Sequence, residues 1–305
     1  MDEIQRTLLE QIADLHEVPE GAFNLRVNGV ATQRNVTANI DIVPKEAEPG
    51  IDIFIKPGTK KESLHIPVLL SKTGLKELVY NDFYVGEDCD VTIIAGCGIH
   101  NGGDKASEHS GIHRFFIGKN AKVRYVEKHY GSGDGKGERI MNPTTEITIA
   151  EGGFLQMDTV QIKGVDSTKR VTKAVLGENA SVIINEKLMT HGNQFAETTF
   201  TVDLNGKGSS ANVVSRSVAK DTSRQIFYSK INGNNACAGH TECDAILMDQ
   251  ASVAAIPEIT ANHIDASLIH EAAIGKIAGE QLIKLMTLGL TEEEAETQII
   301  NGFLK

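Results

Sequence analysis

Small or apolar residues alternate with polar ones in short runs along this chain, and the runs recur. Gly86-Glu-Asp-Cys89-Asp-Val91-Thr-Ile93 opens on a glycine and places small or apolar residues three, five and seven positions later. The same frame returns from Gly118 (Ala121, Val123, Tyr125), from Ala150 (Gly153, Leu155, Met157) and from Gly177 (Ala180, Val182, Ile184). Weaker copies start at Gly206 and Met248, so the starts lie 32, 32, 27, 29 and 42 residues apart. A turn glycine followed by period-two alternation is a strand signal. Recurrence every ~20–50 residues marks a solenoid whose units bury their inner faces against their neighbours. The pattern predicts a mainly β chain, a parallel β-helix with its core over residues 76–273.

The two ends follow a different period. Ile4, Leu8, Leu9, Ile12 and Leu15 share one helical face within residues 3–15. Strand-like pieces over residues 22–70 are broken by Pro44, Pro49 and Pro57, so residues 1–75 read as a helix-containing cap. Near the C-terminus, Ile277, Leu282, Leu285 and Met286 predict a helix over residues 276–288, with Gly289 as its stop. Thr291 with Glu294 forms a capping-box pattern for a second helix carrying Ala295, Ile299 and Phe303. Residues 274–305 thus form a helical hairpin that either closes the solenoid or docks a partner.

Composition narrows the function. Among 305 residues, 30 are basic and 41 acidic, a net charge of −11. No dense Lys/Arg cluster breaks that balance; Lys60-Lys61 is followed at once by Glu62. This argues against nucleic acid and anionic membranes as partners. No apolar run reaches the ~18 residues a membrane span needs. Met1-Asp2-Glu3 lacks the basic start of a secretory signal, which makes the cytoplasm the expected compartment. There, Cys89, Cys97, Cys237 and Cys243 are packing residues, metal ligands or reactive thiols rather than a disulfide framework. Tryptophan is absent and aromatics make up 5% of the chain, which weighs against a carbohydrate cleft.

Four segments could carry chemistry. Gly131-Ser-Gly133-Asp-Gly135-Lys136-Gly137 is glycine-rich, but Lys136 is not followed by Ser or Thr, so it is no phosphate loop and reads as a turn. Cys237-Ala-Gly-His240-Thr-Glu-Cys243 offers two thiols and an imidazole. On one straight strand, however, the two thiols lie about 20 Å apart and His240 faces the other way. His100, His109 and His113 lie near Cys97, yet Ile112-His113-Arg114-Phe115-Phe116 reads as a strand; packing histidines or ligands both fit. His263, Asp265 and the pair His270-Glu271 could bind iron or cap the last turn.

An ordered string of motifs then resembles the SufB/SufD family of iron–sulfur cluster assembly proteins, in its compact SufB-like form. It runs through Gly96-Cys97, Gly118 to Tyr125, Gly239-His240-Thr-Glu-Cys243-Asp244, Ile256-Pro257-Glu258, His270-Glu271-Ala272, Gln281-Leu282, Leu288-Gly289-Leu290 and Asn301-Gly302-Phe303. The resemblance implies a right-handed parallel β-helix with helical terminal regions. It implies a scaffold, not an enzyme, for a transient cluster of the [4Fe-4S] type, handed on to apo acceptor proteins. Nucleotide would be bound by a SufC-type ABC ATPase, docked on residues such as Gln281, Leu282, Leu285, Leu290 and Phe303. A homodimer through the β-helix would carry two such subunits. Where longer relatives place a cluster-associated cysteine four residues after the proline matching Pro257, this chain has Ala261. Cys243, Glu271, His270, Cys237 and His240 are therefore the expected cluster ligands, with Cys97, His113 and His263 next. Two other readings stand beside it: a β-helix enzyme acting on acidic polysaccharide, and a structural partner that binds the ATPase but no iron.

Overall fold

The computed structural model describes residues 1–15, 19 and 21–305. The chain is a β-solenoid of about eight turns with helices at its ends. Each turn gives one strand to each of two facing sheets. The first sheet runs through Val30–Asn35, Ala22–Val27, Lys60–Leu70, Asp90–His100, Lys122–Ser132, Phe154–Lys163, Ser181–Thr190, Ser210–Ala219, Ala238–Leu247 and Ser267–Gly275. The second begins at Ile40–Pro44 and continues with Gly50–Ile55, Lys76–Val85 and Ser107–Ile117. After the broken strand Arg139–Met141 and Thr144–Ile149 come Ser167–Leu176, Phe195–Leu204, Arg224–Gly233 and Ser252–Ala261. Among the described residues, only the first hairpin of each sheet is antiparallel. Ala22–Val27 pairs in parallel with Lys60–Leu70, and Gly50–Ile55 with Lys76–Val85. The parallel ladder thus already begins within residues 1–75, the segment read as a helix-containing cap.

Register explains the sequence repeat. Asp90, Lys122, Phe154, Ser181, Ser210, Ala238 and Ser267 stand in one row across the first sheet. The residues just before them, Cys89, Ala121, Gly153, Ala180, Ser209, Cys237 and Ala266, therefore stack at one corner, where only small side chains fit. The frame starting at Met248 belongs to the other sheet, since it leads into Ser252–Ala261. Its 42-residue offset is about one and a half turns rather than one. The inward rows are mostly apolar, as in Leu64, Ile93, Tyr125, Met157, Ile184 and Val213, all buried. Each such large side chain contributes about 1.5–3 kcal/mol.

Helix α1 (Glu3–Ala13) starts at a capping box between Asp2 and Gln5 and buries Leu8, Leu9 and Ile12. It lies on the outer face of Asp90–His100 because that strand offers Gly96 and Gly98. A Cβ at Gly96 would stand 2.7 Å from that of Ile12. At the other end, α2 (Gly279–Thr287) leads through Gly289, at φ +98°, into α3 (Glu292–Phe303), which is capped by Thr291 and Glu294. Ile300 and Leu304 pack on Val218, with Phe303 and Met189 around them; α2 buries nothing. No described helix is long and apolar enough to cross a membrane. Among the described residues no further strand pairs with Ser252–Ala261 or Ser267–Gly275, so their backbone edges are open, and the outward-facing Ile269 is 51% exposed.

Candidate functional site

Charged residues occupy inward positions in the middle of the solenoid, where a charge is costly unless paired. In one inward row of the first sheet, Ala95, Glu127, Thr159, Glu186, Ser215, Cys243 and Ala272 follow one another. The next inward row carries Val68, Cys97, His129 and Gln161. From the second sheet, Arg170 reaches across to ion-pair with Glu127 and to approach Glu186 at 3.7 Å. Glu186 also accepts hydrogen bonds from Thr198 (2.9 Å) and Ser215 (2.7 Å). Tyr125 donates to Glu127 at 3.1 Å, and His129 meets Gln161 at 3.3 Å. Burial pushes the Glu127 carboxyl up, but the charges of Arg170 and His129 outweigh it and hold the group well below the usual range. For Glu186 burial prevails over Arg170 and its pKa is raised. Together these groups form a continuous polar line through the core from Cys97 towards Cys243.

Cys97 is 5% exposed and has His109 and His129 as neighbours. Burial alone would raise its pKa; the two imidazoles outweigh that and bring the thiol down to about 7. His109, opposed by burial but held by Cys97 and by Glu77 at 3.5 Å, is raised to about 10. Between about pH 7 and about pH 10 the pair is therefore a buried thiolate facing an imidazolium, the state in which a cysteine is nucleophilic or binds metal. His113 shares the inward face of strand Ser107–Ile117 with His109; burial, aided by His109, His129 and Arg170, lowers it to about 4 and keeps it neutral. Gly111 lies between them, where a Cβ would come within 2.6 Å of His113 Nε2.

The C-terminal end differs. On the outer face of the last two turns, His240, Glu242 and Glu271 bring one ligand atom each within 4.8 Å of the others. Glu242 and Glu271 are direct cross-strand neighbours, and His240 Nε2 stands 3.5 Å from Glu271 Oε2. Asn212 Oδ1 holds His240 Nδ1 at 2.8 Å, which leaves Nε2 facing the carboxylates. A hydrogen bond and charge from Asp244 raise the Glu242 pKa. Two carboxylates and an imidazole form a hard, oxygen-rich donor set suited to a divalent first-row metal.

The sequence-expected residues fall into separate places. His240 and Glu271 come together. Cys243 is 1% exposed and points into the core, on the opposite face from its neighbour Glu242; burial, then the charges of Glu186 and Asp244, push its thiol up to about 12. His270 points inward on the last turn, its pKa lowered by burial, and its Nδ1 is buried without a partner. Cys237 belongs to the corner stack. His263 lies in the exposed turn beyond Ala261 and contacts Asp265. Glu77, Glu127, His129, Arg170, Glu186 and Glu242 were not picked out from sequence. Nor was the outward stack of Phe54, Tyr84 and Phe116, with ring centroids 4.9 and 5.1 Å apart.

Comparison with known proteins gives this geometry its context. The family described as SUF system FeS cluster assembly, SufBD core domain, matches residues 80–303. An iron–sulfur cluster assembly SufBD family protein of Archaeoglobus fulgidus is 33% identical over 254 residues, covering 82% of this chain and 66% of that protein. A SufBD family protein of Methanocaldococcus jannaschii is 30% identical over 257 residues, covering 83% and 79%. A third, of Methanothermobacter thermautotrophicus, is 30% identical over 261 residues, covering 84% of this chain and 62% of its own length. The matched part thus spans just under two thirds of two of these relatives. The chain belongs to the SufBD family of the iron–sulfur cluster assembly system.

Proposed function

We propose that this chain is the scaffold on which a cluster is built and from which it is passed on, with iron first held by His240, Glu242 and Glu271. The observation carrying this reading is the convergence of those three side chains within 4.8 Å on the last two turns. The cluster is cargo, [4Fe-4S] in type, and the polar line from Cys97 to Cys243 reaches the same end of the molecule from inside. Two copies pair through the open edges at Ser252–Ala261 and Ser267–Gly275, since an unpaired parallel edge with exposed isoleucines is a ready template for a second chain. A two-fold axis there brings two sets of ligands near one seam. An ABC-type ATPase docks on α2 and its C-cap, where Ile283, Met286 and Leu288 are exposed, with Leu282 and Leu285 half-buried beside them. Gln281 lies on that exposed helix and Leu290 just beyond it; Phe303, turned towards Val218, fixes the hairpin instead. The complex works in the cytoplasm and serves apo acceptor proteins.

Anaerobic reconstitution with ferrous iron and sulfide tests the reading. The dimer should bind iron and develop visible charge-transfer absorption. The pair His240→Ala and Glu271→Gln should lower iron content by about tenfold, in line with the loss of charged ligands. Full iron binding with an unchanged spectrum in that double variant would refute the assignment.

A further inference from the structure

The N-terminal mouth of the solenoid holds a cavity of about 140 Å³ that the assembly reading does not use. It is closed by the hairpin Ala22–Val27 and Val30–Asn35. Arg26 stands in the same inward row as Val68 and Cys97, two strands from the thiol, or roughly 10 Å at ~4.8 Å per strand. Among the described residues, Arg26, Arg34, Asn24 and Asn81 supply the polar lining, with Val68 and Val79 among the apolar walls. In a chain with 41 acidic and 30 basic residues, no carboxylate appears in that lining.

The four polar groups are unequally occupied. Arg26 pairs with buried Glu77 behind it and donates to the Gly29 carbonyl at 2.7 Å. Arg34 donates from Nε to Asn24 Oδ1 at 3.0 Å, and among the described residues its guanidinium pairs with no carboxylate. Asn81 is only 7% exposed and lines the same cavity. A guanidinium without a described counter-charge, a buried amide and a lining without acid describe a receptor for negative charge, and the size admits only a small molecule.

We infer that this cavity binds a small inorganic anion, held by Arg34 and Asn81 with Arg26 at its inner wall. For a chain that assembles iron–sulfur clusters, hydrosulfide is the anion with a use there, delivered on the Cys97 side of the core. Only that choice of anion rests on the proposed function; the site itself rests on the cavity.

Calorimetric titration of the full chain in low-anion buffer provides the test, with sodium sulfate and, anaerobically, sodium hydrosulfide as the two probes. At least one should bind saturably with one site per chain. Arg34→Gln and Asn81→Asp should each weaken that binding by about tenfold or more, the first by removing the free charge and the second by adding a like charge to the anion's. Arg34 is half-buried on a hairpin, so its variant should fold even where Asn81→Asp does not. Saturation by hydrosulfide supports a sulfide site, and saturation by sulfate alone supports an oxoanion site. No saturable binding, or unchanged affinity in Arg34→Gln, overturns the inference. Iron is absent from this measurement, so it stands or falls separately from the ligand set at Glu271.

Discussion

Cys97 and Cys243 lie in the same sheet, both point inward and both are at most 5% exposed, yet one thiol sits at about 7 and the other at about 12. Burial opposes ionisation at both. The difference comes from what stands beside each sulfur: His109 and His129 at Cys97, Glu186 and Asp244 at Cys243. In a solenoid every turn offers nearly the same backbone environment, so lateral neighbours a strand away, at ~4.8 Å, decide the chemistry. The core can therefore keep a thiolate at one end and a neutral thiol at the other. Arg170, set between Glu127 and Glu186, separates the two regimes.

The strongest way to break this comparison is Arg170→Met. It removes the cation from between two buried carboxylates and leaves them uncompensated, which costs about 3–5 kcal/mol. Urea unfolding at neutral pH measures the loss. Without Arg170 both carboxyls take up protons more readily in the folded state, so part of the loss should return on acidification towards roughly pH 5. A variant as stable as the parent would mean that the polar line is not held by this residue.

A smaller effect sharpens the comparison at Cys97. Thiolate absorption in the folded chain should rise with a midpoint of about 7 and vanish in Cys97→Ser, while Cys243 stays silent until about 12. His109→Phe should move that midpoint upward, because burial then meets less opposition. The stability linkage has a definite sign. The folded pKa of Cys97 is depressed from 9.0, so its contribution is present above that value and is lost as pH falls through about 7. His109, opposed by burial but raised from 6.5 to about 10 mainly by that thiolate, loses its contribution as pH rises through about 10, and on the acid side its contribution from Cys97 fades with the thiolate. Cys97→Ser should accordingly flatten the rise in stability between those two thiol values. An unshifted midpoint in His109→Phe would remove the imidazole from the explanation.

Much of this was legible in the sequence, and the rest was hidden by where the repeat was cut. The frame of small and apolar residues at offsets three, five and seven located the strands, and the capping pairs located α3. Extending the same parity to offsets nine and eleven reaches Ala95 and Cys97, Glu127 and His129, Thr159 and Gln161, then Glu186 and Leu188. The polar line is thus written in the repeat, but a charged residue in a strand reads as solvent-facing unless its parity is followed. The separation of Cys243 from Glu271 has the same origin: Glu242 and Cys243 are adjacent, so a strand sends them to opposite faces. Arg170 has no such signal. It meets Glu127 across the core from the other sheet, a relation set by the width of the solenoid rather than by spacing.

The smallest effect tests whether the two ends are independent. Ser215 stands between Glu186 and Cys243 in the inward row and donates to Glu186 at 2.7 Å. Ser215→Ala removes that hydrogen bond without opening a large cavity, since only one oxygen is lost. The Glu186 carboxyl then keeps Thr198 and Arg170 but loses one of the contacts that counter its burial, so its pKa should rise further. The cost should be about 1–2 kcal/mol, the range for a hydrogen bond to a group of this kind. Urea unfolding reads that cost, and the Cys97 thiolate midpoint read on the same sample should not move. Arg170 and Glu127 lie between the altered group and the thiol, and their opposite charges confine the disturbance to the Cys243 side. A midpoint displaced as far as in His109→Phe would show that the polar line titrates as one unit, and that the contrast between the two cysteines belongs to the whole line rather than to their immediate neighbours.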